Sequence, residues 1–260
     1  ELIKAILDES DAAEDLKELI INKAAGNPLF MEEFTQNLLE NGTIEKQDNV
    51  YIVSKNISGI QIPDSVQGII SARMDRLEDN LKRTMQVASV IGRDFAFRIL
   101  QSITGQEEEL KSNLLNLQGL EFIYEKQLFP ELEYIFKHAL IQEVAYQSLL
   151  QQRRNEIHEN IGKAIEEIYS DRLEEFYEVL AYHFSKSDNY TKTIEYLKLC
   201  IQKSEANYSN WEAFKYGQQA ISLLDRSPVS DQNIQDHIEA RILTSRVANW
   251  LAFPENSLDI

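Results

Sequence analysis

The sequence predicts a mainly α-helical protein in which a helical lid region and a winged-helix domain precede a TPR-like α-solenoid, with two short β-hairpins. Apolar residues recur at helical spacing over most of the chain, as in amphipathic helices. Two pairs of short β-branched and aromatic runs, near 43–54 and 121–136, flank polar turns. We therefore expect a lid with a hairpin over 1–78, a winged helix over 79–150, and a helical linker with truncated repeats over 151–260.

The lid region begins with an amphipathic helix over 12–25. Gly26 suits the left-handed conformation that closes a helix, and Pro28 suits the first turn of the next one. That next helix, PLFMEEFTQNLLE, ends at Asn41 and Gly42. Gly26 and Pro28 therefore predict two consecutive helices joined by a short turn.

A hairpin and two further helices follow. The run TIEKQDNVYIVSK (43–55) holds two β-branched segments around a polar turn, which predicts a hairpin. Asp64 is the predicted N-cap of the next helix, and Gln67 stands three residues on, where a capping box places its second member. We expect helices over 64–77 and 79–91.

The winged helix is predicted from element order. A short helix (Phe95 to Ile103) and a second helix (Glu107 to Leu117) precede two β-rich runs, LEFIYE and LEYIFK, with a turn around Phe129. The second helix carries three glutamates and one lysine, and residues 79–137 hold seven basic and nine acidic side chains. A DNA reader needs a basic recognition helix, so we expect no nucleic-acid partner.

The TPR-like repeats are predicted from large and small residues at fixed spacings after residue 170. The first helix pair carries Tyr177, Leu180, Ala181 and Phe184, then Tyr190, Ile194, Leu197 and Cys200. A further helix has Ala213 and Ala220 at the small positions, although Gly217 replaces the usual large aromatic. We expect a right-handed run of antiparallel helix pairs with a concave partner face; a generic helical bundle is the alternative.

The last helix of this region, about 233–251, carries the apolar side chains Ile238, Ile242, Leu243, Val247, Trp250 and Leu251. A helical repeat covers its apolar face by stacking on the next repeat. We therefore expect an exposed apolar stripe around Trp250 and Leu251.

Composition points to a cytoplasmic protein. The 260 residues include 43 acidic and 26 basic side chains, a formal net charge of -17, which disfavours nucleic acid and anionic membranes as partners. The single cysteine, Cys200, excludes an internal disulfide framework and is expected to be buried. No apolar stretch approaches the ~20 residues of a membrane span, and no signal-peptide pattern is present.

No catalytic or metal site is predicted. A P-loop needs Gly-Lys followed by Ser or Thr, but Gly162 and Lys163 precede Ala164 inside a helix. The histidines at 158, 183 and 237 are scattered, without HExxH or CxxC pairing, so we expect surface or packing roles. The adjacent glutamates Glu32-Glu33, Glu166-Glu167 and Glu174-Glu175 lie on predicted helices and are expected to be solvated.

Four segments in order carry a family resemblance: AAGNPLFMEEF, IPDSVQGIISARMDRL, ASVIGRDF and YIFKHALIQEVAYQSLL. Over about 1–225 the chain resembles the lid, winged-helix and TPR region that follows the nucleotide-binding core in STAND-class signalling ATPases (AAA/NB-ARC-like). This region is found attached to class III adenylate/guanylate cyclases, and to some bacterial kinases and transcription regulators. The order of the motifs indicates the superfamily but does not choose the effector domain.

The resemblance implies two nucleotide contacts. Gly26, Asn27 and Pro28 match a lid motif that packs against adenine; a plain helix cap explains the same residues. His138 matches a histidine that reaches the β-phosphate of ADP, with a core histidine as the alternative, and Ala139 replaces the aspartate that follows it in the best-known branch. The Walker residues have no counterpart here, so no cofactor is expected in this chain, although ATP or ADP is expected in an intact parent protein.

We therefore expect a non-catalytic regulatory and protein-interaction fragment of a signal-transduction ATPase, with an adenylate/guanylate cyclase as the expected parent. Its expected partners are an upstream nucleotide-binding core and a protein held by the repeats. The alternatives are the sensor region of a STAND-type transcription regulator and a plain TPR scaffold. Because the chain starts at Glu1 and stops within helical patterning, we expect it to be a piece of a longer polypeptide.

The absence of a P-loop motif generates a prediction about nucleotide binding. Lid contacts alone lack the backbone cradle that holds phosphates. Titration calorimetry with ADP is expected to show no micromolar binding to this chain, and a phosphate-release assay is expected to show no ATP hydrolysis. Micromolar ADP affinity, or turnover that survives repurification, would contradict the prediction.

Overall fold

The computed structural model describes residues 3, 6, 11–12, 14–47, 50–54, 63–105, 107–226 and 231–252. These residues form twelve α-helices and two small three-stranded sheets, which confirms a mainly α fold with two short hairpins. The chain divides into two compact units: 1–89 with 111–124 and 135–148, and 90–110 with 125–134 and 149–260. The three-part division at residues 78 and 150 stays a prediction.

The regular elements follow each other in a simple order. The α-helices are α1 (Glu14–Ala24), α2 (Pro28–Glu40), α3 (Val66–Met74), α4 (Asp79–Ile91), α5 (Phe97–Thr104), α6 (Glu107–Gly119), α7 (Ala139–Gln147), α8 (Gln151–Ile168), α9 (Tyr177–Ser185), α10 (Tyr190–Ala206), α11 (Asn210–Leu224) and α12 (Asp231–Trp250). The strands are β1 (Asp11–Ala12), β2 (Ile44–Gln47), β3 (Val50–Val53), β4 (Asp94–Ala96), β5 (Ile123–Gln127) and β6 (Glu133–Phe136). A short 3-10 helix, Leu173–Phe176, precedes α9.

The first sheet contains the predicted hairpin and one unpredicted strand. Strands β2 and β3 pair antiparallel, with Ile44 opposite Val53, and β1 adds to β3 in parallel. The turn at 48–49 lies outside the described residues. The hairpin contributes Ile44 to a core that also takes apolar side chains from α1, α2 and α3: Leu16, Ile20, Ala24, Phe30, Phe34, Leu38 and Ile69.

Helix α3 starts later than predicted. Its N-cap is Ser65, whose hydroxyl accepts a hydrogen bond from the Gly68 amide at 3.1 Å, so the prediction of Asp64 as the cap is wrong. A capping oxygen has to reach the amide of the second or third helical residue, and Ser65 does so for this helix start. The helix ends at Met74 rather than at residue 77.

The second sheet has the strand order β4–β6–β5, which adds a strand to the predicted pair. Residues 94–96 form β4, so the predicted helix from Phe95 starts instead at Phe97, whose amide donates to the Leu132 carbonyl at 2.9 Å. The Phe95 side chain is buried and stacks on Tyr134. The order helix, strand, helix, helix, strand, strand from α4 to β6 is that of a winged helix.

The helices of the repeat region pack through the predicted apolar positions. Short connections join α9 to α10 and α10 to α11, which makes consecutive helices antiparallel neighbours. Six of the eight signature residues of the first pair are buried: Leu180, Ala181, Phe184, Ile194, Leu197 and Cys200. Tyr177 is half-buried, whereas Tyr190 at the start of α10 is 57% exposed and lies outside this core. The right-handed superhelix stays a prediction.

Cys200 is buried, as predicted. Burial raises the pKa of its thiol to about 12, because the thiolate would lose its hydration inside the helix pair.

Tyr196 is a member of this core that was not predicted from the sequence. Its ring stacks on Phe184 with centroids 5.6 Å apart, and its hydroxyl donates to Glu166 at 2.5 Å.

The last helix exposes apolar side chains. Trp250 is 71% exposed, and Ile238 and Ile242 on the same helix are also exposed, which confirms the predicted stripe at these positions. Leu251 is half-buried against a cluster of its own chain that includes Phe214, so it lies at the edge of the stripe. Leu243 and Val247 are buried in that cluster, so the expectation that they lack a cover is wrong.

Two histidines form a buried pair in the second unit. His158 on α8 and His183 on α9 are each 1% exposed, with their Nδ1 atoms 2.9 Å apart. One nitrogen has to donate and the other to accept, so the accepting ring has to be neutral. Burial, with the charges of Lys186 and Arg154, lowers the pKa of His158 to about 4, and burial next to His158 lowers the pKa of His183 to about 3.

The contact between α11 and α12 generates a prediction. A Cβ on Gly217 would lie 2.7 Å from Thr244 Cγ2 and 2.9 Å from Thr244 Cβ, both in the buried interface. Overpacking of this kind costs about 1–3 kcal/mol, more than the ~1 kcal/mol that alanine gains over glycine in a helix. Gly217→Ala is therefore expected to lower the free energy of unfolding, measured by urea titration.

Gly119→Ala is the matched control, because nothing lies within 4 Å of a Cβ at that helical glycine. It is expected to leave stability unchanged or slightly raised. Equal responses of the two variants would contradict the steric account of Gly217.

The buried histidine pair generates a second prediction. Unfolded histidines take up protons near pH 6.5, whereas the folded pair stays neutral down to about pH 4, so stability present above pH 6.5 is lost as the pH falls. The slope is expected to reach about 1.4 kcal/mol per pH unit for each histidine. Urea titrations between pH 7 and 4.5 measure it.

The double variant His158→Gln with His183→Gln removes both titrating rings. Its stability is expected to fall less steeply over the same range, because only the remaining groups then titrate. Parallel curves for the two proteins would refute this role of the pair.

Candidate functional site

The motif Gly26-Asn27-Pro28 forms the junction between α1 and α2. Gly26 has φ +83°, in the left-handed region, and Pro28 opens α2, as predicted. The Asn27 side chain caps α2 by accepting hydrogen bonds from the amides of Leu29 at 3.0 Å and Phe30 at 3.2 Å. All three motif residues are exposed. The cap geometry accounts for them without a ligand, and the adenine contact stays a prediction.

His138 immediately precedes α7 and bonds to α2. Its Nε2 lies 3.1 Å from Glu32 Oε2, and both side chains are 29% exposed. His138 is therefore partly exposed, and its contact with the β-phosphate stays a prediction. Glu32 stands four residues after Pro28, about 6 Å along the helix axis, so α2 connects the two predicted sites.

Lys137 holds Glu32 from the other side. Its Nζ lies 2.6 Å from Glu32 Oε1 and also pairs with Glu121, and its side chain is 10% exposed. Burial opposes the charge of this ammonium group, but the hydrogen bonds to Glu121 and Glu32 outweigh it and raise its pKa. Burial likewise opposes ionisation of Glu32, yet Lys137 and His138 lower its pKa. Glu32 is therefore a carboxylate fixed between two basic side chains.

A buried ion network lies on the neighbouring face of α2. The Arg73 side chain is 1% exposed, pairs with Glu33, and donates to Glu40 at 2.6 Å and to the Leu120 carbonyl at 2.8 Å. Its guanidinium also lies 4.5 Å from the centre of the Phe122 ring. Burial disfavours the charge, but Glu40 and Glu33 outweigh it and raise the pKa of Arg73. The prediction of a solvated face is wrong for Glu33, which is 1% exposed. No sequence signal connected it with Arg73, because the two residues are 40 positions apart.

A groove of about 810 Å³ runs over α9, α10 and α11 in the second unit. Its floor is made by buried small and apolar side chains, among them Ala181 and Leu197. Tyrosines line it as well: Tyr182, Tyr190 and Tyr216. The sequence predicted a concave partner face here, but the contribution of Tyr190 to the groove, rather than to the core, was missed.

Two findings concern metal binding and membrane-spanning helices. Among the residues with described positions, no group of three or more His, Cys, Asp or Glu side chains is arranged to hold a metal ion. The His158–His183 pair is a buried contact between α8 and α9. No helix in the described part of the chain is both long and apolar enough to cross a membrane.

Comparison with known proteins adds no family assignment. No family model matches the chain, and no curated protein matches it. The resemblance to STAND-class ATPases therefore rests on the four sequence segments alone and stays a prediction.

The Glu32–Lys137 contact generates a prediction about coupling. Hydrogen-bonded charges that are partly buried contribute about 1–2 kcal/mol, so a double-mutant cycle with Glu32→Gln and Lys137→Met is expected to give a coupling energy in that range. Urea unfolding of the four proteins measures it.

The matched control is the surface pair Asp75 and Lys82, 2.6 Å apart, whose side chains are 71% and 30% exposed. Its coupling, from Asp75→Asn and Lys82→Met, is expected to stay below about 0.5 kcal/mol because water screens it. Similar coupling energies for both pairs would count against the role assigned to Lys137.

Proposed function

We propose that this chain is a non-catalytic regulatory region of a signalling ATPase and that its repeats bind a protein partner. The groove over α9, α10 and α11 carries the proposal. It combines a volume of about 810 Å³, an apolar floor and a tyrosine-rich lining, and aromatic side chains are enriched where proteins bind one another. A segment of a partner protein fits these features better than a small polar metabolite does.

The first unit is proposed to contact a nucleotide-binding core through α2 and α7. The exposed Gly26-Asn27-Pro28 junction opens α2, and Glu32 on the same helix bonds to the partly exposed His138. A nucleotide phosphate reaching His138 Nε2 would have to replace Glu32 as its partner. Nucleotide state would then change the contacts of α2, which is the kind of differential contact that biases two arrangements of a protein.

A plain TPR scaffold is the second candidate. The Asn27 cap supports it, because the two hydrogen bonds at the start of α2 explain the Gly-Asn-Pro motif with no nucleotide. Both candidates place a partner in the groove, and they differ in whether the first unit responds to a nucleotide-bound core. An adenylate/guanylate cyclase remains the proposed parent.

The groove is tested by blocking it. Ser222 lines the groove and is exposed, so Ser222→Trp is expected to fill part of it without disturbing the core. Random 12-residue peptides displayed on phage, selected on the whole chain, are expected to yield binders that lose at least about tenfold in affinity for this variant.

The control is Ser245→Trp, at an exposed position on α12 that does not line the groove. It is expected to bind the same peptides as the unmodified chain. Selection that yields no peptide sensitive to the groove substitution would contradict the proposed function.

A further inference from the structure

The groove contains three exposed cations: Lys186 at the end of α9, Lys215 on α11 and Arg226 just after α11. One carboxylate, Glu178, stands among the described lining residues, and it lies 2.9 Å from Lys203 Nζ. Within the described residues, none of the three groove cations has an ion-pair partner. The groove is therefore locally positive.

Other cations of the repeat region are neutralised inside the chain. Lys192 lies 2.9 Å from Glu166, Lys198 lies 3.1 Å from Asp236, and Arg246 pairs with Glu205. The chain has 43 acidic and 26 basic side chains, so carboxylates outnumber the cations that can pair with them. The three cations of the groove are an exception to this pattern, and they face the same space.

We propose that the groove binds an acidic, extended peptide segment of the partner, an inference that rests on the proposed function of the repeats. Carboxylates of the segment pair with Lys186, Lys215 and Arg226. An apolar or aromatic side chain of the segment lies on the floor around Ala181 and Leu197, against the tyrosine rings. Gln218 and Gln219, which also line the groove, donate to and accept from its backbone.

Charge complementarity favours a peptide over a nucleic acid. A net charge of -17 repels a long polyanion, whose every nucleotide carries a phosphate. A short segment with a few carboxylates meets the positive groove while extending little negative charge over the acidic surface outside it. Added salt weakens the attraction between the acidic segment and the groove cations, because it screens their charges.

The experiment uses peptides selected on the whole chain and sensitive to Ser222→Trp. Their sequences are expected to be enriched in Asp and Glu over the unselected library. Affinity of a fluorescein-labelled binder is then measured for the triple variant Lys186→Gln, Lys215→Gln, Arg226→Gln. A loss of about tenfold or more is expected, because three charge contacts are removed together.

A triple variant outside the groove, Arg93→Gln, Arg153→Gln, Lys163→Gln, is the matched control. It also removes three positive charges, two of them in exposed pairs (Arg153 with Glu156, Lys163 with Glu159), so both variants have a net charge of -20 in place of -17. It is expected to retain binding within about twofold. Circular dichroism melting of both variants checks that each is folded.

The outcomes separate the two proposals. Groove-dependent binders that are neutral or basic, or that bind both triple variants equally, overturn the acidic-segment inference and leave the groove function standing. A single-stranded 12-mer DNA that displaces the acidic peptide at equal concentration also overturns the inference. No groove-dependent binder at all overturns the proposed function itself.

Discussion

The buried guanidinium of Arg73 fixes how the first unit is assembled. It bonds to Glu33 and Glu40, which stand seven residues apart on α2 and therefore on one face of that helix, and to the Leu120 carbonyl before β5. Arginine suits this position because its planar fork offers five donors in fixed directions. The ion pairs thereby set the rotation of α2 about its axis, and this rotation turns Glu32, the neighbour of Glu33, toward Lys137 and His138.

Burial of Arg73 favours this packing of α2 on α3 over other packings of the two helices. A buried charge that loses its partner keeps the cost of dehydration, so a different packing of α2 on α3 would leave Arg73 uncompensated. One atom of the network is already unsatisfied: Glu33 Oε1 accepts no hydrogen bond within the described residues, and burial raises the pKa of Glu33. The Phe122 ring over the guanidinium contributes a further favourable contact.

Local sequence signals predicted the parts of the fold that local chemistry determines. Gly26 and Pro28 set the junction of α1 and α2, and the two β-branched segments in 43–55 indicated the hairpin. The Arg73 network was out of reach, because its members are distant in sequence and each one alone resembles a solvated surface charge. The same holds for His158 and His183, which meet only because α8 packs on α9. At the start of α3, Asp64 and Ser65 are both favoured N-cap residue types, so the sequence did not distinguish them. The backbone conformation places the cap at Ser65.

The repeat region shows why a departure from a sequence pattern carries structural information. Gly217 weakened the predicted TPR match because an aromatic is usual there, yet Thr244 of α12 fills the space that such a side chain would need. Because Gly217 has no side chain, α12 can pack close to α11 at this position. Tyr190, one of the predicted signature positions, lines the groove with Tyr182 and Tyr216. Tyr190 thus lies at the surface that we assign to the partner, where packing no longer decides the side chain. Gly217, the other departure from the pattern, lies instead in the buried contact with α12.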